Sequence, residues 1–144
     1  MIAIDTNVLL RYLLDDDPLQ SAKARRLIAK ADDILITDAV LVELIWTLTG
    51  KRYQLTRDDV TSTVTALFHE RSFSFEDNSV VWRALCDYRD AKLVRRGGKK
   101  LFVDFSDALI ANKASALTAG LGMFFEGFFT FDRAAQTLAE GYAP

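Results

Sequence analysis

The chain has 144 residues, half of them hydrophobic, a formal net charge of −2, one cysteine and one histidine. That length suits one domain able to bury about two thirds of the surface its unfolded form exposes. With Cys86 and His69 as single representatives, an internal disulfide, a cysteine-rich zinc site and any mechanism needing two imidazoles are excluded. No apolar stretch approaches the roughly twenty residues of a membrane span, and Asp5 stands where a signal peptide would continue its apolar core. A cytoplasmic location is the expectation.

Ile2 to Ile4 is a short apolar run with β-branched residues, followed directly by Asp5 and then by a helical density of apolar positions from Val8 to Leu14. This predicts a buried strand that delivers one carboxylate to its C-terminal end, where ligands bind in open parallel α/β sheets. The alternative is that Asp5 only caps the helix starting at Thr6. Asp15-Asp16-Asp17-Pro18 reads as a turn and a helix start, with Asp17 as N-cap, Pro18 first in the helix and Gln20 third; the three acids read as solvated capping charges.

Ile34 to Thr37 predicts a second strand, and Asp38 the cap of a helix running to Gly50. Ala39, Val40, Leu41, Val42, Leu44, Ile45, Trp46 and Leu48 make that helix apolar almost all round, with Glu43 as its one interior acid. A carboxylate there is costly unless it reaches water, an arginine, a hydrogen-bond donor or a cation. Thr56 to about Arg71 predicts another helix, with Thr56 and Asp59 as its capping signal and His69 on the polar side. Phe73 and Phe75 alternate with serines as in a third strand. Asp77 to about Arg96 reads as a longer helix burying Val81, Leu85, Tyr88 and Ala91.

That helix is expected to end in a basic turn: Arg89, Lys92, Arg95, Arg96, Lys99 and Lys100 face a single acid, Asp90. Such a run suits a polyanion, or else a solvated helix end. In Leu101 to Ala111, Asp104 and Asp107 are three apart and share one helix face, Asp104 as N-cap and Asp107 at the head of an inner stripe of Ile110, Ala111, Ala114 and Leu117. Gly122 to Thr130 is aromatic and leads to a last buried strand, Phe128 to Phe131. Asp132 follows it as Asp5 follows the first, and a short helix, Arg133 to Ala139, comes next.

Alternating strands and helices imply a parallel sheet whose strand ends gather at one edge. Carboxylates converging there repel one another, and a divalent cation removes the conflict. With oxygen ligands only, Mg²⁺ or Mn²⁺ suits the set, and such an ion can activate water and orient a phosphodiester.

Four segments in this order, Ile4-Asp5-Thr6-Asn7-Val8-Leu9, the Glu43 helix after its strand, Asp104-Phe105-Ser106-Asp107-Ala108-Leu109-Ile110-Ala111, and Thr130-Phe131-Asp132, resemble the PIN-domain family, and within it the VapC-type toxin ribonucleases of toxin–antitoxin pairs. The resemblance covers nearly the whole chain. It implies a three-layer α/β/α sandwich with a central parallel sheet of four to five short strands in one domain, residues 1–144, and a metal-dependent endoribonuclease using Mg²⁺ or Mn²⁺. Carried over by position, Asp5, Glu43 and Asp107 match the acidic triad and Asp132 a more variable fourth acid, all four catalytic and metal-binding. Asp104 would support the metal through water. Thr6 and Thr130 match hydroxyl residues near the metal, and Asn7 a polar neighbour. The resemblance also implies a homodimer and a cognate antitoxin that covers the acids with a basic side chain. RNA would be steered by Arg95, Arg96, Lys99 and Lys100 with Arg11 or Arg133. The phenylalanine-rich segment Leu121 to Phe129 is longer than the family pattern, which loosens the match at Asp132.

Among rivals, a phosphatase of the haloacid dehalogenase type needs a second Asp two residues after the first, where this chain has Asn7. A response-regulator receiver needs a lysine after its last strand, where this chain has Thr130-Phe131-Asp132. A catalytically inactive PIN-like binding module is the non-enzymatic alternative.

Overall fold

The structure is a computed structural model describing residues 1–144. The chain divides into two compact units, Met1–Asn78 and Ser79–Pro144.

In the first unit the order is β1 (Ile2–Ala3), α1 (Thr6–Leu14), α2 (Pro18–Lys30), β2 (Ile34–Ile36), α3 (Asp38–Thr49), α4 (Arg57–His69) and β3 (Phe73–Phe75). The strands form one parallel sheet in the order β1-β2-β3, with Ile2 opposite Ile34 and Ile34 opposite Phe73. Helix pairs connect successive parallel strands, so the chain alternates as an α/β fold must. Ile34 and Ile36 on the central strand are fully buried, as are Leu9, Leu41, Leu44, Val60 and Val64 from the helices around it. β1, by contrast, is exposed at both residues, and only Ile4 beyond it is buried. The expectation of a buried first strand is corrected: β1 has a partner on one side only, so its outer face keeps contact with water.

Capping follows side-chain chemistry closely. Asp17 accepts from Leu19 N and Gln20 N at the start of α2, with Pro18 in its first turn. Thr56 and Asp59 close a full capping box on α4. At α3 the cap is Thr37, whose Oγ1 accepts from Val40 N, and Asp38 is the first helical residue instead. Of the acids in the Asp15 to Asp17 run, only Asp17 caps a helix N-terminus: Asp15 is the C-cap of α1 in the left-handed region at φ 52° and pairs with Arg25, while Asp16 binds Arg11, Tyr53 and Arg52.

The second unit runs α5 (Asn78–Arg89, its first residue in the unit above), β4 (Val94–Arg96), β5 (Lys99–Leu101), α6 (Phe105–Gly120), β6 (Phe128–Phe129), a 3₁₀ turn (Ala135–Thr137) and β7 (Gly141–Tyr142). Its buried residues include Val80, Val81 and Ala84 of α5 and Phe105 and Ala108 of α6, and Tyr88 is edge-on to Phe105 at 5.9 Å between centroids.

Several expectations change here. α5 stops at Arg89, and the basic run is an antiparallel hairpin turning at Gly97 and Gly98, both at positive φ. Two consecutive positive-φ residues suit a tight hairpin turn, and glycine adopts them without steric cost. On α6 the buried residues are Phe105, Ala108, Leu109 and Ala111, whereas Ile110 and Leu117 are more than half exposed. The last strand pairs in parallel with β7, a strand absent from the sequence reading, and not with the three-stranded sheet. Phe129 and Phe131 are exposed, because a two-stranded ladder covers neither of its faces. The parallel sheet proper therefore has three strands where four to five were expected, with the β6–β7 pair separate.

Candidate functional site

In the first unit the site starts at the end of β1. Asp5 has extended backbone (φ −86°, ψ 172°) and its Oδ1 accepts from Val8 N at 2.9 Å, so it does cap α1. Capping uses one oxygen and leaves the other open, so the structural and chemical readings of Asp5 are compatible. The next residue, Thr6, is buried, and its Oγ1 donates to Glu43 Oε2 at 2.6 Å. This is the partner that an acid on so apolar a helix requires. A single hydroxyl thus ties Glu43 of α3 to the residue following Asp5. Asn7 is exposed and lines a cleft with Asp5.

In the second unit Asp104 caps α6, its Oδ1 accepting from Phe105 N at 2.7 Å. Asp107 is in the first turn of that helix and half-buried. Burial, then the charge of Asp132, then that of Asp104 push its carboxyl above the usual range. Although the stripe proposed for α6 was misplaced, Asp107 does lie one turn before buried Ala111. Asp132 is locked from several directions: its Oδ1 accepts from Ala134 N and Ala135 N at 2.7 and 2.9 Å, and its own N–H donates to Thr130 Oγ1 at 3.1 Å. Gln136 Nε2 donates to Thr130 O at 2.8 Å and holds the same turn. Sequence reasoning missed Gln136, which it placed in an ordinary helix; only its amide, four residues after Asp132, could have hinted at the role.

The cations divide similarly. Arg95, Arg96, Lys99 and Lys100 are exposed on the hairpin, where Arg95 faces Lys100 and Arg96 faces Lys99. Like charges directly opposite one another destabilise a ladder, so this hairpin spends stability to present four cations. Arg133 is exposed beside Asp132. Arg11 is different: its guanidinium is paired with Asp16.

The PIN domain model matches residues 2–140. The chain belongs to the PIN domain family. No curated protein matches it. PIN domains are generally nucleases and generally use divalent metals, which sets the standard against which these acids are judged. Their chemistry fits: every donor is oxygen, and Asp107 carries the electrostatic conflict with Asp104 and Asp132 that a cation relieves. As arranged, no three Asp, Glu, His or Cys side chains stand close enough together to hold an ion. No helix of this PIN domain is long and apolar enough to cross a membrane.

Proposed function

We propose that this PIN domain is a metal-dependent endoribonuclease that hydrolyses RNA phosphodiester bonds as the toxin of a toxin–antitoxin pair. The observation that carries the reading is the Thr6–Glu43 hydrogen bond, which fixes an α3 acid to the residue after Asp5 in a chain of this family. Residues 1–144 then act as one domain, a reading supported by a single family model that spans residues 2–140.

In this reading Asp5, Glu43, Asp107 and Asp132 hold Mg²⁺ or Mn²⁺, with Asp104 supporting it through water. The ion supplies a nucleophilic water at neutral pH and charge neutralisation at the phosphodiester. The chain's own residues do the rest. Thr6 points the Glu43 carboxylate through its hydrogen bond to Oε2. Thr130 and Gln136 hold the turn that aims Asp132. Arg95, Arg96, Lys99, Lys100 and Arg133 attract the RNA strand by charge and fix no sequence. A homodimer, a cytoplasmic location and an antitoxin that places a basic side chain over the acids complete the reading.

The test is cleavage of a structured RNA by purified protein with Mg²⁺ or Mn²⁺. Asp5→Asn and Asp107→Asn should each abolish it with the fold retained, and full activity in both would falsify the assignment. Growth arrest on expression, relieved by a co-expressed neighbouring reading frame, tests the toxin role.

A second reading is a PIN domain that binds a partner without cleaving. Titration with Mn²⁺ separates the two, because a pure binding module shows no saturable site.

A further inference from the structure

Trp46 is 59% exposed on α3, and its side chain makes neither a ring contact nor a hydrogen bond. Tryptophan is usually well covered, since its ring is among the largest apolar surfaces a chain has. Its place on the helix gives the open ring a context. Ala39, Glu43 and Trp46 follow one another at i, i+4 and i+7, and all three are exposed, so they form one outward stripe of α3. Residues three apart on a helix have Cβ atoms about 5–6 Å from each other, and long side chains lean toward the helix N-terminus, which carries the indole toward the turn that holds Glu43. Glu43 in turn accepts from Thr6, the residue after Asp5. The ring therefore borders the acids of the first unit.

Magnitude decides what such a ring can hold. At about 150–250 Å² for a large aromatic, its open part is on the order of 100–150 Å². A stable protein partner needs about 800 Å² a side. The chain around Trp46 adds little apolar surface to it: Thr47 and Thr49 turn their hydroxyls back onto the carbonyls of Glu43 and Ile45, and Gly50, Lys51 and Arg52 follow. One nucleobase covers an area of this size, and every base has a π face. Charge agrees. Lys51 is exposed and has no ion-pair partner, and its turn is fixed by Gln54 Nε2 donating to Lys51 O at 3.0 Å, so an ammonium for a phosphate stands just beyond the end of the same helix.

We propose that Trp46 is the platform on which a base of the RNA stacks, next to the phosphodiester presented to Glu43 and Asp5. The contact holds a base without reading its identity, because stacking on an open indole uses the face of the base and none of its edge. The inference rests on the nuclease reading for its substrate, but stacking can be measured without cleavage.

Fluorescence of the full chain tests it. The other tryptophan, Trp82, is replaced by Phe so that emission reports Trp46 alone. The protein is titrated with a short single-stranded RNA and with a strand of the same backbone lacking its bases, in Ca²⁺, which takes the same oxygen ligands in looser geometry. The RNA should quench the indole and the abasic strand should not. Trp46→Ala should weaken RNA binding by roughly 5- to 150-fold, the range for one stacked base, and Trp46→Phe, which keeps a π face, should restore most of it. The urea midpoint of Trp46→Ala should match wild type, as at other exposed sites. Equal quenching by both strands, or RNA binding unmoved by Trp46→Ala, overturns the platform while leaving the nuclease reading intact. A dimer that Trp46→Ala dissociates in sedimentation without changing RNA affinity also overturns it and assigns the ring to a protein interface. Quenching by RNA alone in a protein that cleaves no RNA upholds the platform and removes the nuclease reading.

Discussion

Asp107 sits where its surroundings disfavour its charge. Its carboxyl is raised first by burial and then by Asp132 and Asp104, so folding favours its protonated form. The sign follows: below the ordinary Asp value of about 4 the fold carries no penalty, and as pH rises past it the penalty appears and persists at neutrality. Asp107→Asn should therefore raise the thermal midpoint of the metal-free protein at pH 7 by about 1–3 °C, an increment kept small because the group retains part of its hydration. The gain should vanish near pH 4, as scanning calorimetry at the two pH values would show. Loss of cleavage with a gain in stability is the signature of a functional acid; loss of both would mark a structural one. Thr6 makes the complementary case. Thr6→Val keeps the shape and deletes the hydroxyl, leaving Glu43 without its 2.6 Å donor. Cleavage or Mn²⁺ affinity should fall about 10–100-fold, with the urea midpoint little changed.

At the scale of elements, the ends of helices carry much of the local specification. The α4 capping box pairs Thr56 with Asp59, and hydrogen bonds from Thr56 hold the Asp59 carboxyl below its usual range. Its contribution is present above the ordinary Asp value and is lost as pH falls through the depressed one. Thr56→Ala should cost about 1 kcal/mol in urea denaturation at pH 7, and less once Asp59 is protonated. The β4–β5 hairpin works by the opposite logic. Arg95 opposite Lys100 and Arg96 opposite Lys99 repel across the ladder, and a bound polyanion or added salt relieves them. Replacing all four by Gln should leave the hairpin folded and reduce the slope of log K against log salt for single-stranded RNA by up to about 3, at roughly 0.7 per phosphate contact. A slope unchanged in a filter-binding series would remove these residues from the RNA path.

For the molecule as a whole, the proposed ion is the largest lever. Ligand that binds only the folded state adds about 1.4 kcal/mol for each tenfold excess over its dissociation constant. Mn²⁺ should raise the thermal midpoint in a saturable manner, EDTA should reverse the rise, and Asp5→Asn should blunt it. A midpoint indifferent to Mn²⁺ would favour the binding-only reading.

Local chemistry made much of this protein legible from its sequence. The alternation of strands and helices, the caps at Asp17 and Thr56, the strand-end position of Asp5 and the order of the four PIN motifs all depend on residues near one another in the chain, where spacing and side-chain type settle the outcome. Glu43 was recognisable as an acid in need of a partner, because that cost is intrinsic to a carboxylate on an apolar helix; that the partner is Thr6, 37 residues away, was a matter for the fold. The same division explains the errors. The basic run could be a helix end or a hairpin until Arg95 met Lys100, and Phe128 to Phe131 looked buried because hydrophobicity signals a wish for cover without saying whether another element provides it. Which side of α6 faces inward likewise turned on contacts that no periodicity encodes.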